Sequence, residues 1–356
     1  MAKKVLHNKY GKEDLLKKLA QENDHRTVIS FYQYAKIADP ETFRDALYEK
    51  FENLAILGRI YVAKEGINGQ ISVPNHKVED FRNELYSIDF LKGIRLNFAV
   101  HHEDMSFLKL KIKVRQKIVA DGLNDDSFDV TNKGVHLSAE DFNAITERDD
   151  TIVVDMRNHY ESEVGHMEDA ICPDADTFRE ELPMVVDMLK DKKDKPVVMY
   201  CTGGIRCEKA SAYLKHVGFE DVYQLNGGII EYTRQCEEKG LKNKFIGKNF
   251  VFDERLGERI SDEIISECHQ CGNPCDTHTN CANDACHLLF IQCEECKTKY
   301  EGCCSQECTD FINLPLDEQK QLRKGMKAQA HHYKKGRVRP KLKDLLEQKA
   351  QNVINQ

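Results

Sequence analysis

The residues best able to do chemistry stand in one short run, Tyr200-Cys-Thr-Gly-Gly-Ile-Arg-Cys207, within a chain of 356 residues. Cysteine acts as a nucleophile only as the thiolate, and a thiolate needs positive potential around it. This run supplies it in three ways. Gly203 and Gly204 permit a tight loop whose N–H groups turn inward, a helix beginning near Cys207 presents its N-terminus, and Arg206 either forks to an oxyanion substrate or orients the loop. The preceding run PVVMY, residues 196 to 200, is apolar throughout, as in strands covered on both faces. It delivers Cys201 to the carboxyl end of a parallel strand, where open α/β sheets bind ligands. Four residues separate Cys201 from Arg206, one fewer than in a phosphatase cradle, which favours sulfur over phosphate. Cys201 is expected to carry sulfur as a persulfide. Cys207 either resolves a persulfide or disulfide on Cys201 or simply packs in the first helical turn.

Of the 14 cysteines, ten lie between Cys268 and Cys308. Cys268-x2-Cys271 and Cys293-x2-Cys296 stand 21 residues apart, close to the spacing of a four-cysteine structural zinc site. Cys275, Cys281, Cys286, Cys303, Cys304 and Cys308, with His269, His278 and His287, offer donors for a second site, although adjacent Cys303 and Cys304 cannot comfortably share one ion. Reduced, partly buried cysteines or disulfides are the alternative. No run has a ferredoxin spacing, and no two-histidine, one-carboxylate set for iron is visible.

The elements that must position these residues fall into modules. Residues 1–25 form an N-terminal extension with a helix over Glu13 to Gln21. Over 26–122 the spacing predicts a ferredoxin-like βαββαβ domain. It begins with a strand over Thr27 to Ala38 and a helix capped by Asp39-Pro40. A hairpin follows, Gly58 to Lys64 and Gln70 to Val73, turning at Glu65-Gly-Ile-Asn-Gly69. A helix over Val78 to Ile88 and a strand over Ile94 to Val100 complete the set. FLKLKIKVRQKIV, residues 107 to 119, alternates apolar and basic side chains and either extends the sheet or lines a groove.

Residues 130–242 switch to short apolar strands alternating with helices, as in a compact parallel α/β domain. From Phe245 these signals fade into a cysteine-rich segment, 245–316, too poor in apolar residues for a core, so metal or cross-links must replace one. The tail, 317–356, is basic.

Net charge is −8, but residues 320 to 349 hold eleven Lys or Arg against two acids. Only this tail, with His331, His332 and Tyr333 interleaved, looks made for a polyanion. Lys109, Lys111, Lys113, Arg115 and Lys117 add cations on one strand face. No apolar run approaches the roughly 18 residues of a membrane span, and the N-terminus does not read as a signal peptide, so a cytoplasmic protein without a membrane partner is expected. Oligomeric state is not fixed by these features.

Residue spacing reaches only a thiolate or persulfide in an anion cradle, beside modules suited to a polyanion. CTGGIRCEKA, the downstream LNGGI, the upstream VVDMRN, the EGINGQ turn, and CHQCGNPCDTHTNC followed by CHLLFIQC together resemble the bacterial rhodanese-like tRNA uridine hydroxylases, the TrhO family, over nearly the whole chain. The resemblance implies oxygen-dependent 5-hydroxylation of the wobble uridine of tRNA, with molecular oxygen as co-substrate. Cys201 matches the family's active-site cysteine, described as a persulfide intermediate, which calls for a sulfur donor. Asp155 and Arg157 match an Asp and a basic residue that rhodanese-like proteins carry near the active loop. They either support that loop or form an ion pair or cap at the strand end. Gly165-His166 matches a motif whose His is usually structural, although Glu168-Asp169 stand where Gly is more usual. Two other readings compete: a sulfurtransferase that moves sulfur to an acceptor without tRNA, and a non-catalytic zinc and RNA-binding scaffold that would tolerate loss of Cys201.

Overall fold

The computed structural model describes residue 6 and residues 11–20, 25–99, 107–123 and 128–325. After helix α1 (Lys12–Ala20), the first domain runs β1 (Arg26–Tyr34), α2 (Pro40–Asn53), β2 (Leu57–Ala63), β3 (Gly66–Pro74), α3 (Val78–Tyr86), β4 (Asn97–Phe98) and β5 (Leu110–Val114). The sheet order is β4-β1-β3-β2-β5, antiparallel except for the β2–β5 pair, so the expected ferredoxin-like arrangement is present with one added strand. Asp39 caps α2 as its sequence predicts, accepting from the N–H groups of Glu41 and Thr42, with Pro40 opening the helix.

The period of two along each strand gives the sheet two different faces. Ile29, Phe31, Ile60, Ile67 and Ile71 point toward α2 and α3 and pack on Leu47, Phe51, Phe81 and Leu85. Ser30, Tyr32, Arg59, Tyr61, Asn68 and Gln70 alternate with them and occupy the other face.

Two expectations need correction here. The hairpin turns at Lys64-Glu65, not over Glu65 to Gly69, because Ala63 pairs with Gly66 and the following residues continue β3. The glycines serve close approach instead: a Cβ at Gly69 would stand 2.6 Å from the Phe31 ring. The basic strand is also shorter than its alternation suggests. Lys117 lies beyond β5 and binds Asp121 at 2.7 Å, leaving Lys109, Lys111, Lys113 and Arg115 as the basic row.

The second domain contains β6 (Val135–Leu137), α4 (Ala139–Ile145), β7 (Ile152–Asp155), α5 (His159–Ser162), β8 (Gly165–Met167), α6 (Phe178–Met188), β9 (Val197–Tyr200), α7 (Ile205–His216), β10 (Val222–Leu225) and α8 (Gly228–Lys239). The order β6-β10-β9-β7 is wholly parallel. Residues of α6 and α7 cover one face through Phe178, Leu182, Ala210 and Leu214, and residues of α4 and α8 cover the other through Phe142, Ile229 and Tyr232. Both faces are dry, which explains the continuous apolar runs of β7 and β9.

Beyond it, β11 (Phe245–Asn249) pairs antiparallel with both β8 and β12 (Glu258–Arg259). The chain from Phe245 is therefore stitched into the second domain. The hairpin β13 (His278–Asn280) and β14 (Leu289–Ile291) and the helices α9 (Glu294–Lys299), α10 (Gln306–Ile312) and α11 (Leu316–Gly325) follow. Residues 326 onward, with most of the basic tail, lie outside the described residues. No helix among the described residues is long and apolar enough to cross a membrane.

A buried charge fastens the first two domains. Lys209 on α7, 2% exposed, reaches Glu65 at 3.0 Å, Asp121 at 2.7 Å and the Val119 carbonyl at 3.1 Å. Burial opposes ionisation of Asp121, but Lys117 and Lys209 outweigh it and hold its pKa below the ordinary carboxylate value. Removing Lys209 takes from buried Asp121 and from Glu65 the cation they share, leaving Asp121 only Lys117 and Glu65 only the Ile118 N–H. Lys209→Ala is therefore expected to destabilise the chain by about 3–5 kcal/mol in urea unfolding; a loss below about 1 kcal/mol, typical of an exposed pair, would contradict the assignment.

Candidate active site

Strand β9 ends at Tyr200, and Cys201 follows at 1% exposure. The Gly204 N–H donates to its Sγ at 3.1 Å. Gly204 makes this turn with φ 95°, a left-handed conformation that suits glycine, and α7 begins directly after it. The neighbouring loop locks the cradle from outside. Ile229 and Ile230 donate their N–H groups to the carbonyls of Cys201 and Thr202 at 3.0 and 3.2 Å. A Cβ at Gly228 would collide with those same carbonyls, so the Gly-Gly pair of LNGGI is a packing requirement.

Arg206 lies in the first turn of α7. It is 8% exposed and bonds Glu161 bidentately, at 2.6 and 2.9 Å, with Thr202 Oγ1 at 3.4 Å. These bonds fix its positive charge close to the sulfur. Glu161, fully buried on α5, also accepts from the Asn158 N–H at 3.1 Å. Sequence reading missed Glu161; the only local trace was the Asn158-x-x-Glu161 capping box.

Burial of Cys201 raises its pKa, but the Cys207 thiol, the Arg206 charge and the N–H groups of Cys207 and Arg206 outweigh that cost and bring it down to about 6. Burial and the adjacent Cys201 push Cys207 well above its ordinary range, so Cys207 stays a thiol. Glu181 on α6 is buried, its oxygens have no hydrogen-bond partner, and burial raises its pKa well above the carboxylate value. A protonated Glu181 sets no negative charge against the thiolate.

Cys201 forms the floor of a cavity of about 360 Å³. The polar face of the first domain roofs it with Ser30, Tyr32, Arg59, Tyr61, Asn68, Gln70 and Asn97, and Phe107, Phe178 and Phe252 close its sides. The roof is tied to the cysteine loop: the Asn97 amide donates to the Gly203 carbonyl at 3.4 Å, and Tyr34 Oη donates to the Ile205 carbonyl at 3.4 Å. Tyr32 Oη donates to Glu208 at 3.1 Å, next to His136 at 3.0 Å and Lys133 at 2.7 Å. These partners lie more than seventy residues apart in the chain, and no local pattern announces them.

The other expected residues take distinct places. Asp155 and Arg157, both fully buried, pair with each other at 2.7 Å, and Arg157 continues to the Gly165 carbonyl at 2.6 Å. The guanidinium lies over Tyr200 and Phe245, 5.8 and 5.6 Å from the ring centroids, so the pair braces β9 and β11 beneath the loop. His166 Nδ1 is 2.9 Å from the Met167 carbonyl. Cys268, Cys271, Cys293 and Cys296 converge, with all sulfurs within 4.8 Å of one another and the Cys271–Cys293 pair at 3.6 Å. A tetrahedron with Zn–S of about 2.3 Å has an edge of about 3.8 Å, which these residues fit. His269 instead faces Glu163 at 3.0 Å.

Three family models match the chain: UPF0176 acylphosphatase like domain over residues 26–118, Rhodanese-like domain over 138–235 and Rhodanase C-terminal over 246–309. A relative from Leptospira interrogans, named tRNA uridine(34) hydroxylase, is 54% identical over 343 residues, 96% of this chain and 94% of its own. Relatives of the same name from Photorhabdus laumondii and Yersinia pestis are 55% and 57% identical, covering 94% and 90% of this chain and 96% and 91% of their own.

The thiolate assignment has a direct readout. Iodoacetamide labelling of Cys201, followed by peptide mass mapping across pH, is expected to rise with a midpoint near 6, rather than the roughly 8.5 of a free cysteine. Below that midpoint the neutral thiol predominates and labelling fades. Arg206→Gln removes the fixed cation and should move the midpoint up by about one unit or more. A midpoint at 8.5 or above in the unaltered chain would contradict the cradle.

Proposed function

This chain belongs to the tRNA uridine(34) hydroxylase family, and on that premise we propose that it hydroxylates the wobble uridine of tRNA at C5, with molecular oxygen as co-substrate and Cys201 as the reacting group, through a persulfide. The observation that carries this reading is a thiolate of depressed pKa on the floor of a cavity roofed by a polar, aromatic sheet face. A sulfur at 1% exposure cannot meet a base still stacked in an RNA loop. The uridine must leave the stack, as in other enzymes that modify a base. A cavity of about 360 Å³ admits one nucleoside-sized group. Tyr61 and Phe107 offer stacking surfaces, and the amides of Asn68, Gln70 and Asn97 offer partners for the edge of uracil.

Hydroxylation replaces C5–H by C5–OH. With molecular oxygen as oxidant, one oxygen atom enters the base and the other leaves as water, which takes two electrons and two protons from a reductant. A persulfide on Cys201, loaded by a sulfur donor, is a reductant of this class: closing a bond between its outer sulfur and the Cys207 thiol releases the two electrons and two protons, and the sulfur stays out of the product. The Gly204 N–H and Arg206 hold the anionic sulfur, Gly203 gives the loop its tight turn, and the protonated Cys207 stands next to the sulfur as resolving thiol or proton donor. Asp155 and Arg157 brace the strand that presents it.

The row Lys109, Lys111 and Lys113 is crowded with like charge. Burial, then the neighbouring Lys113, Lys109 and Arg59, lower the Lys111 pKa, a repulsion that a bound phosphate would relieve. This row, and by their charge alone the basic residues 320 to 349, are the proposed partners of the tRNA phosphates, and a cytoplasmic location follows from that substrate. Zinc at Cys268, Cys271, Cys293 and Cys296 is assigned a structural role, since four protein ligands leave no open position.

In cells lacking the protein, nucleoside analysis of tRNA should show loss of 5-hydroxyuridine derivatives. The unaltered gene should restore them and Cys201→Ser should not. Full restoration by Cys201→Ser would overturn the role of the thiol. Sulfur transfer to a small acceptor in the absence of tRNA, together with unchanged tRNA, would instead favour a sulfurtransferase.

A further inference from the structure

We propose that Cys281, Cys286, Cys304 and Cys308 form a second zinc centre, separate from that at Cys268, and that it fixes the helix from which the basic tail departs. One sulfur of each residue lies within 4.8 Å of the other three. The Cys286–Cys304 and Cys304–Cys308 pairs stand at 3.7 and 3.8 Å, matching the tetrahedral edge of about 3.8 Å set by Zn–S of about 2.3 Å. A disulfide would need a sulfur pair at about 2.05 Å, whereas all 14 cysteines are unpaired. An iron–sulfur cluster would place inorganic sulfide among the four sulfurs and hold them further apart.

The surroundings favour thiolate ligands over four chance thiols. The Cys304 N–H donates to Cys281 Sγ at 3.4 Å, and the Asn283 amide donates to Cys308 Sγ at 3.4 Å. At the first centre the Cys293 N–H donates to Cys268 Sγ at the same distance. Donors aimed at ligand sulfurs orient them and favour the anion. The awkward neighbours Cys303 and Cys304 divide the work. Cys303 is fully buried against Phe290 and Cys281, while Cys304 joins the four-sulfur set.

Energetics point the same way. The apolar cluster here has only Cys281, Phe290 and Cys303 as fully buried members, too few to hold hairpin β13–β14 against α10. Metal binding can supply that missing folding energy. The set has four protein ligands and no open position, which marks a structural ion rather than a catalytic one.

The centre also reaches α11. Asp284, inside the Cys281–Cys286 loop, is 3.8 Å from Arg323, whose guanidinium lies 5.8 Å from the Phe311 ring centroid. Gln319 donates to the Ile312 and Leu314 carbonyls at 3.0 and 2.8 Å. The ligand loop and α10 thus hold α11, and the basic residues follow directly in the chain.

The test is metal analysis by native mass spectrometry of the full chain, purified without chelator. Two zinc ions per chain are expected, falling to one in Cys286→Ser/Cys304→Ser. For the unaltered chain, native iodoacetamide labelling with peptide mapping gives a readout independent of how that variant folds. Cys281, Cys286, Cys304 and Cys308 should be protected until the second zinc equivalent is withdrawn, and tryptic cleavage at Lys320 and Arg323 should then accelerate. A single zinc with these four thiols freely labelled would overturn the proposal, as would disulfide-linked peptides or iron with acid-labile sulfide at this set. Unchanged cleavage at Lys320 and Arg323 would overturn the link to the tail.

Discussion

A negatively charged sulfur at 1% exposure is the constraint around which this molecule is organised. Taking a thiolate out of water is costly, and the cost must be met by fixed charge and by donors already in place. Arg206 supplies the charge and the backbone of 204–207 supplies the donors. Neither is self-sufficient. Arg206 is itself buried and is held by Glu161, which in turn is held by the N-terminus of α5. The loop keeps its shape because the LNGGI turn bonds its carbonyls and presses on it without side chains. A change anywhere along this chain of contacts would be felt as a change in sulfur pKa.

The same economy explains why the first domain is attached where it is. A ferredoxin-like sheet covers one face with helices and leaves the other to find a partner. Here the uncovered face carries Ser30, Tyr32, Arg59, Tyr61, Asn68 and Gln70, and it roofs the cysteine loop instead of facing solvent. Lys209 pins the two domains beside the cavity through Glu65 and Asp121. The cavity therefore belongs to neither domain alone. Its floor is a buried sulfur of lowered pKa, and its roof is a polar, aromatic sheet face.

Much of this was legible locally. The Asp39-Pro40 cap, the apolar runs of β7 and β9, the Gly-Gly turn after Cys201 and the paired Cys-x2-Cys motifs each follow from chemistry within a few residues. What could not be read was whatever depends on distant pairing. Glu65 looked like part of a turn because Gly66 and Gly69 follow it, yet it is an interdomain ligand of Lys209, and Gly69 is there to let Phe31 in. Glu161 and Glu181 sit on helices whose sequences show little beyond acidic residues and the Asn158-x-x-Glu161 box; both are fully buried, and the distant Arg206 that bonds the first and not the second sets them apart. The pairing of β11 with β8 joins segments some eighty residues apart, which no periodicity reveals. Asp155 and Arg157 were open between loop support and an ion pair. They form the pair and brace the strand that carries Cys201.

The account stands on Cys201 acting on uridine with oxygen from the gas. Purified protein incubated with a persulfide donor and unmodified tRNA under ¹⁸O₂ addresses this most directly, read as heavy oxygen in the wobble nucleoside. The account predicts one ¹⁸O atom per modified uridine with the unaltered chain and none with Cys201→Ser. Equal labelling by both proteins, or a hydroxylated product that carries only solvent oxygen, would contradict it.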